Sequence, residues 1–409
     1  MFARLWFVQA ATQVGGNMAL YALTVLVFAT TRSNTAVSAL VMSFLVPTIA
    51  LSAMAGVVVD RLDLRLALVG PNVVRALMTF GLALAGTNVA VLLVLNLVIS
   101  LTTVMLTPAE ASMIPRVVPR GQLEAAMGIF NLTLQASFAV GFAFLGPLLV
   151  AVSGPSSVLI VVTVLYVAAT VACLGLPSTE RAPAPPGLAG RAVHEAVAQF
   201  REGLAAIHGD REVARPLLHL AAAATIVGVL GVLGPAIASS IGLEPNQLVV
   251  VVLPLGLGVV AGVFGLRRLG GGLSRRRAAE GGLTVFGLLI VAIALARPLL
   301  AAIAPGARPE DVLVPVVVVL AFFSGSAYAA TSVSAQTALF EHMPAEVRGR
   351  VFGVLATIVS AASLIPILIV GPLADLVSSA VVMAFVGAAV VVTSFLSAAA
   401  SDGPRRPTA

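Results

Sequence analysis

The 409-residue chain contains no lysine and a single cysteine, Cys173; only 10% of its residues are charged and 5% aromatic, with one Trp and three Tyr. One cysteine excludes an intrachain disulfide and any cysteine-based metal centre. A soluble domain carries about a quarter charged residues, so a charge content this low excludes an ordinary water-facing surface. No phosphate-binding Gly loop, nucleophile constellation or metal-ligand spacing occurs. That sets aside an ATP-driven pump and a membrane enzyme, and no cofactor or metal is expected. The four histidines (His194, His208, His219 and His342) are scattered and are expected to be solvated or interfacial.

What is present is apolar. Hydrophobic residues make up 59% of the chain and the mean hydropathy is +1.09, more than a soluble globule could hide without large exposed patches. Mostly apolar runs of about 20 or more residues, the length a helix needs to cross a hydrocarbon core of roughly 30 Å, recur along the chain. Barrel strands would alternate apolar and polar residues, and VSALVMSFLVPTIALSAMAGVVV and AVLLVLNLVISLTTVMLT do not. The pattern predicts an all-α membrane protein of twelve transmembrane helices in two six-helix bundles. Breaks at charged, Pro and Gly clusters place the spans near 5–29, 35–59, 66–86, 89–114, 123–150 and 157–176, then near 216–240, 247–266, 279–303, 312–340, 350–376 and 380–399. The domains follow as an N-terminal bundle over 1–176, a cytoplasmic linker over 177–215, a C-terminal bundle over 216–400 and a tail over 401–409. The first apolar stretch is too long for a removable signal peptide and lacks its cleavage site, so it is read as the first span.

A net charge of +6 and a pI near 10.8 would suggest nucleic acid in a soluble protein. Here the bilayer is the partner and the arginines report topology. With the amino terminus cytoplasmic, 19 of the 23 arginines fall on the inner side; Arg32, Arg297 and Arg308 lie outside, and Arg75 falls in the third span near its cytoplasmic end. Both termini are expected to be cytoplasmic. The linker opens with the Pro-rich RAPAPPG. It continues with Val193, Val197, Phe200, Leu204 and Ile207 on one helical face, the pattern of an interfacial helix.

Offset by 225 residues, the halves align: Pro119 with Pro344, Gly128 with Gly353, and Gly146-Pro147 with Gly371-Pro372. Parallel six-helix repeats place a substrate site near the bilayer midplane. In span one Gln9, Gln13, Asn17 and Tyr21 recur every fourth residue, a polar stripe on an otherwise apolar helix. Such polar residues either line a cavity or hydrogen-bond between helices.

GVVVDRLDLR, residues 56–65, resembles the loop between spans two and three that marks the major facilitator superfamily. PAEASMIPRVVP, EGLAAIHGDREVARPLL and MPAEVRGRVFG resemble the branch that contains macrolide-efflux and enterobactin-exporter proteins. The resemblance implies a secondary active transporter working by alternating access, in the cytoplasmic membrane and as a monomer. It makes Gly56 a close-packing glycine, Asp60 the acid and Arg61 and Arg65 the basic positions of a cytoplasmic gate. Asp63 stands where the pattern usually has Gly. When the gate is closed, Asp60 is expected to meet the start of span eleven at Arg348 and Arg350.

The same resemblance assigns the central cavity to spans one, four, seven and ten. Its candidate residues are Gln9, Gln13, Asn17 and Tyr21 with Asn96 and Thr103, then Tyr328, Thr331 and Gln336, joined from span five by Asn131 and Gln135. Little charge at midmembrane favours a neutral or amphipathic organic substrate. Proton-coupled export needs a buried carboxylate, for which Glu110 is the candidate; its alternative is a surface carboxylate paired with Arg116. Related proteins often carry an acid in span one where this chain has Gly16-Asn17. Gly146-Pro147 resembles an antiporter motif, and with Gly371-Pro372 it is expected to bend the helix. An uptake carrier or lysolipid flippase of the same fold, and a non-transporting receptor or scaffold, stay open as alternatives.

Overall fold

The computed structural model describes residues 1–178, 211–268, 274–303, 309–342 and 348–399. Among these every element is helical. In lipid an apolar chain must satisfy its backbone within each segment, and a helix does so. The helices are α1 (Phe2–Thr31), α2 (Asn34–Asp60), α3 (Leu64–Leu84), α4 (Val89–Val117), α5 (Leu123–Phe138), α6 (Gly146–Ser153), α7 (Pro155–Leu174), α8 (Arg211–Ser240), α9 (Val249–Arg268), α10 (Arg275–Ile303), α11 (Pro309–His342), α12 (Arg348–Leu376) and α13 (Ser379–Ala399). A π-helical segment, Ala139–Leu145, joins α5 to α6, making one long span of the pair. Eleven helices are long and apolar enough to cross a bilayer among the described residues; α12 adds the apolar stretch Ala361–Leu376. The protein is a multi-pass membrane protein. The linker's apolar face from Val193 to Ile207 lies outside the described residues.

Short polar residues set the boundaries. Ser33, Asp63 and Asn88 precede α2, α3 and α4, and their side chains accept from Ala36 N, Arg65 N and Val91 N at 3.3, 2.8 and 3.3 Å. Asp63 also accepts from Leu66 N at 3.3 Å. This is what the chain gains from an acid where the resembling loops have Gly. Gly154, at a φ of 80°, ends α6, and Pro155 opens α7.

The chain divides into two compact units, Met1–Ala198 with Pro245–Val249 and Gln199–Glu244 with Val250–Ala409. In the first, α1 packs on α7 and on the α5–α6 span, α2 on α4, and α3 on both α4 and α7. In the second, α10 packs on α11 and α13, and α8 on α12 and α11. The third span thus meets the fourth and sixth in one half, as the ninth meets the tenth and twelfth in the other. Pro147 carries no N–H and crowds the preceding turn, and the chain answers with the wider π turn before it. No such turn precedes Pro372, where α12 is α-helical throughout.

One expectation changes. His219 is 2% exposed and shares a 3.1 Å hydrogen bond between its Nε2 and Ser397 Oγ, so it is a packed core residue rather than a solvated one. The helix-periodic apolar residues around it decide this. A Cβ built on Gly56 meets nothing within 4 Å among the described residues.

Candidate functional site

A cavity of about 70 Å³ lies inside the first unit, walled by α1, α2, α3, α4 and α7. Its polar lining includes Gln13, Asn17, Arg75, Thr79, Asn96 and Thr103, and the rest of the wall is largely apolar. Most of these polar groups are tied to the protein. Asn17 Nδ2 donates to Gln13 O at 2.9 Å, Thr103 Oγ1 to Ile99 O at 2.7 Å, and Asn96 Nδ2 to Ser43 Oγ at 2.8 Å. A cavity of this volume holds several waters or a small polar group.

The span-one stripe does not enter the cavity as a whole. Gln13 and Asn17 line it, whereas Gln9 is buried with Nε2 donating 3.1 Å to Phe130 O of α5. Tyr21 is fully buried, its ring edge-on to Phe142 at 5.5 Å. Four residues advance a helix by about 400°, so a stripe at that spacing winds by about 40° per step and leaves the face on which it began. Its two ends therefore pack on the fifth span. Asn131 is exposed on α5. In the second unit Thr331 is buried with its hydroxyl on Ala327 O at 3.0 Å, Tyr328 packs against Phe286 at 5.8 Å, and Gln336 is half-buried. The side chains of Asp60, Gln135, Arg348 and Arg350 lie outside the described residues; Arg61 is exposed and Arg65 half-buried.

Arg75 is the residue the sequence reading misplaced. It lies eleven residues into α3, about 16 Å along the axis, which is the middle of the helix rather than either end. Its side chain is 3% exposed and forms no ion pair among the described residues. Nη2 donates to Thr12 O at 3.1 Å and Tyr166 Oη at 2.8 Å, and Cζ sits 4.1 Å from the Tyr166 ring centroid. Gly15 and Gly16 make room: a Cβ on Gly15 would stand 3.3 Å from the Tyr166 ring, and one on Gly16 3.4 Å from Arg75 Nη2. An arginine at the centre of an apolar span is a functional signal by itself. That signal, with Tyr166 as one of only three tyrosines, was there to be read.

Glu110 is 3% exposed on α4, beside the buried Ala109, Met113 and Ile114. Its Oε1 accepts no hydrogen bond. It is thus a buried acid and not a surface partner of Arg116, which is exposed. Glu110 and Arg75 act on each other electrostatically but form no ion pair. One turn below Arg75 on the same helix, Asn72 donates to Leu68 O at 2.9 Å and approaches Cys173 Sγ at 3.9 Å. The first unit therefore carries polar side chains from Asn96 past Arg75 to Glu110, inside an apolar bundle.

A sequence model of the Major Facilitator Superfamily matches residues 5–367. No curated protein matches the chain. Among solved structures, a mutant of the nucleoside transporter NupG matches with a TM-score of 0.71 at 13% identity, over 98% of this chain and 100% of that one. A POT family transporter in complex with 5-aminolevulinic acid gives 0.70 at 13% identity, covering 98% and 96%. The POT family transporter PepTSo gives 0.66 at 14%, covering 98% and 97%. At such identities the likeness concerns the fold.

Proposed function

The chain belongs to the Major Facilitator Superfamily, and from that premise we propose that this secondary transporter exports amphipathic small organic molecules from the cytoplasm by alternating access, in exchange for protons. It works as a monomer in the cell membrane with both termini cytoplasmic. The polar cavity inside the first unit supports this reading: Gln13, Asn17, Asn96 and Thr103 bring polar groups into a largely apolar wall, the composition that holds a molecule with one polar end. Glu110 supplies the proton site. It is buried, its Oε1 is unbonded and no cation is paired with it, so it can take and release a proton without breaking a salt bridge.

Thermal-shift screening of drugs, siderophores and lysolipids against the purified protein supplies a ligand. That ligand is then followed in everted vesicles whose lumen is acidified. Accumulation inside the vesicles is expected, driven by the proton gradient. Glu110→Gln is expected to abolish the gradient-driven part while the ligand still raises the melting temperature. Movement out of the lumen makes the protein an uptake carrier. Accumulation indifferent to the gradient removes the proton.

A further inference from the structure

We propose that the cavity around Arg75 is a carboxylate subsite, so that the transported molecule carries one carboxylate; this rests on the export reading above and names the polar end of its substrate. Arginine cannot shed its proton, and an unpaired buried cation is costly unless something compensates it. The protein compensates only in part, through the Tyr166 ring and the charge of Glu110, with which Arg75 forms no ion pair. Of the three guanidinium nitrogens only Nη2 is hydrogen-bonded, to two neutral oxygens, Thr12 O and Tyr166 Oη. Nε is buried with no partner. No acid lines the cavity, and Arg75 is its one charged residue.

A second donor stands beside it. Thr79 lines the same cavity, is fully buried, and its Oγ1 has no partner. Positions 75 and 79 are i and i+4 on α3, so their side chains stand one above the other on one face. A carboxylate between them would accept from the free guanidinium N–H groups and the threonine hydroxyl, the charge-assisted pairing that arginine geometry favours. One cation with one hydroxyl suits a monoanion rather than a phosphate dianion. The cavity of about 70 Å³ takes such a group but not a whole amphiphile, so the apolar remainder extends beyond it. Gly16 leaves the approach open, since a side chain there would begin 3.4 Å from Nη2 and 3.5 Å from Tyr166 Oη.

The test measures equilibrium binding of octanoate and of octanamide to the full-length protein in lipid nanodiscs at neutral pH. The two differ in charge and hardly in shape. Octanoate is expected to bind at least tenfold more tightly, and Arg75→Gln to bring it down to the amide's affinity. Gly16→Asp keeps Arg75 in place and supplies a tethered carboxylate. It is expected to bring octanoate affinity down to no more than that of octanamide, a result that does not depend on Arg75→Gln folding. Acetate and chloride serve as competitors: inhibition only at concentrations far above that of octanoate supports an amphiphile's carboxylate. Saturation by chloride or acetate as tight as by octanoate overturns the proposal in favour of a free-anion site. Equal binding of acid and amide by the wild type overturns it outright. Binding needs no transport, so an intact octanoate preference with no accumulation in everted vesicles sinks the export reading alone. Export of a neutral ligand with no such preference sinks only the carboxylate.

Discussion

Asp63 accepts two backbone N–H groups at the start of α3, through one carboxylate oxygen at 2.8 and 3.3 Å. The first turn of a helix has donors without intrahelical acceptors, and a side chain that meets them contributes about 1 kcal/mol. Asp63→Asn is expected to keep the melting temperature near wild type, Asp63→Gly to lower it slightly, and Asp63→Ala to lower it most. Thermal unfolding in nanodiscs measures the order, and an Ala variant as stable as the Asn variant would remove the cap. The acid was visible in GVVVDRLDLR as a departure from the resembling pattern. Its purpose was not, because capping depends on where the helix begins. Arg75 failed differently. Its depth follows from counting residues along α3, but the oxygens it meets lie 63 and 91 positions away in the chain, and no local pattern encodes that meeting.

At the scale of the element, the fifth span shows how glycine and proline act together. Pro147 removes a donor and the helix widens to a π turn over Ala139–Leu145, while Gly141 within that turn lets the span lie directly on α1. A Cβ on Gly141 would stand 2.5 Å from Val14 O and 2.8 Å from Asn17 Cβ, whereas one on Gly128 of the same span meets nothing within 4 Å. Gly141→Ala is therefore expected to cost about 1 to 3 kcal/mol, since the neighbour is backbone and cannot step aside. Gly128→Ala should change stability by less than about 1 kcal/mol, toward greater stability, as helix propensity directs. Equal melting temperatures for the two variants would contradict the close approach of α1 and this turn. The Gly-Pro pair was legible in the sequence as a break in helical regularity. The form of the break was not: the equivalent pair in α12 keeps regular α-helix, so neighbours rather than the dipeptide decide it.

For the whole molecule, the two halves read from a few prolines and glycines recur in the packing within each unit, where the third span meets the fourth and sixth as the ninth meets the tenth and twelfth. Twelve spans in two halves were legible because apolar length and charge placement are properties of composition, and lipid permits few other solutions. Orientation rests on the same arginines, and labelling can read it. Cys173 is fully buried, so the native thiol should stay silent toward a membrane-impermeant maleimide in the folded protein. New cysteines at two exposed positions then report sidedness: Thr87 in the connection before α4, and Arg120 in the connection after it. In intact cells Thr87→Cys is expected to label and Arg120→Cys to stay unlabelled, with the pattern reversed in everted vesicles. The opposite assignment would place the arginine-rich connections outside. It would also put both termini outside and so overturn the topology proposed together with the export reading.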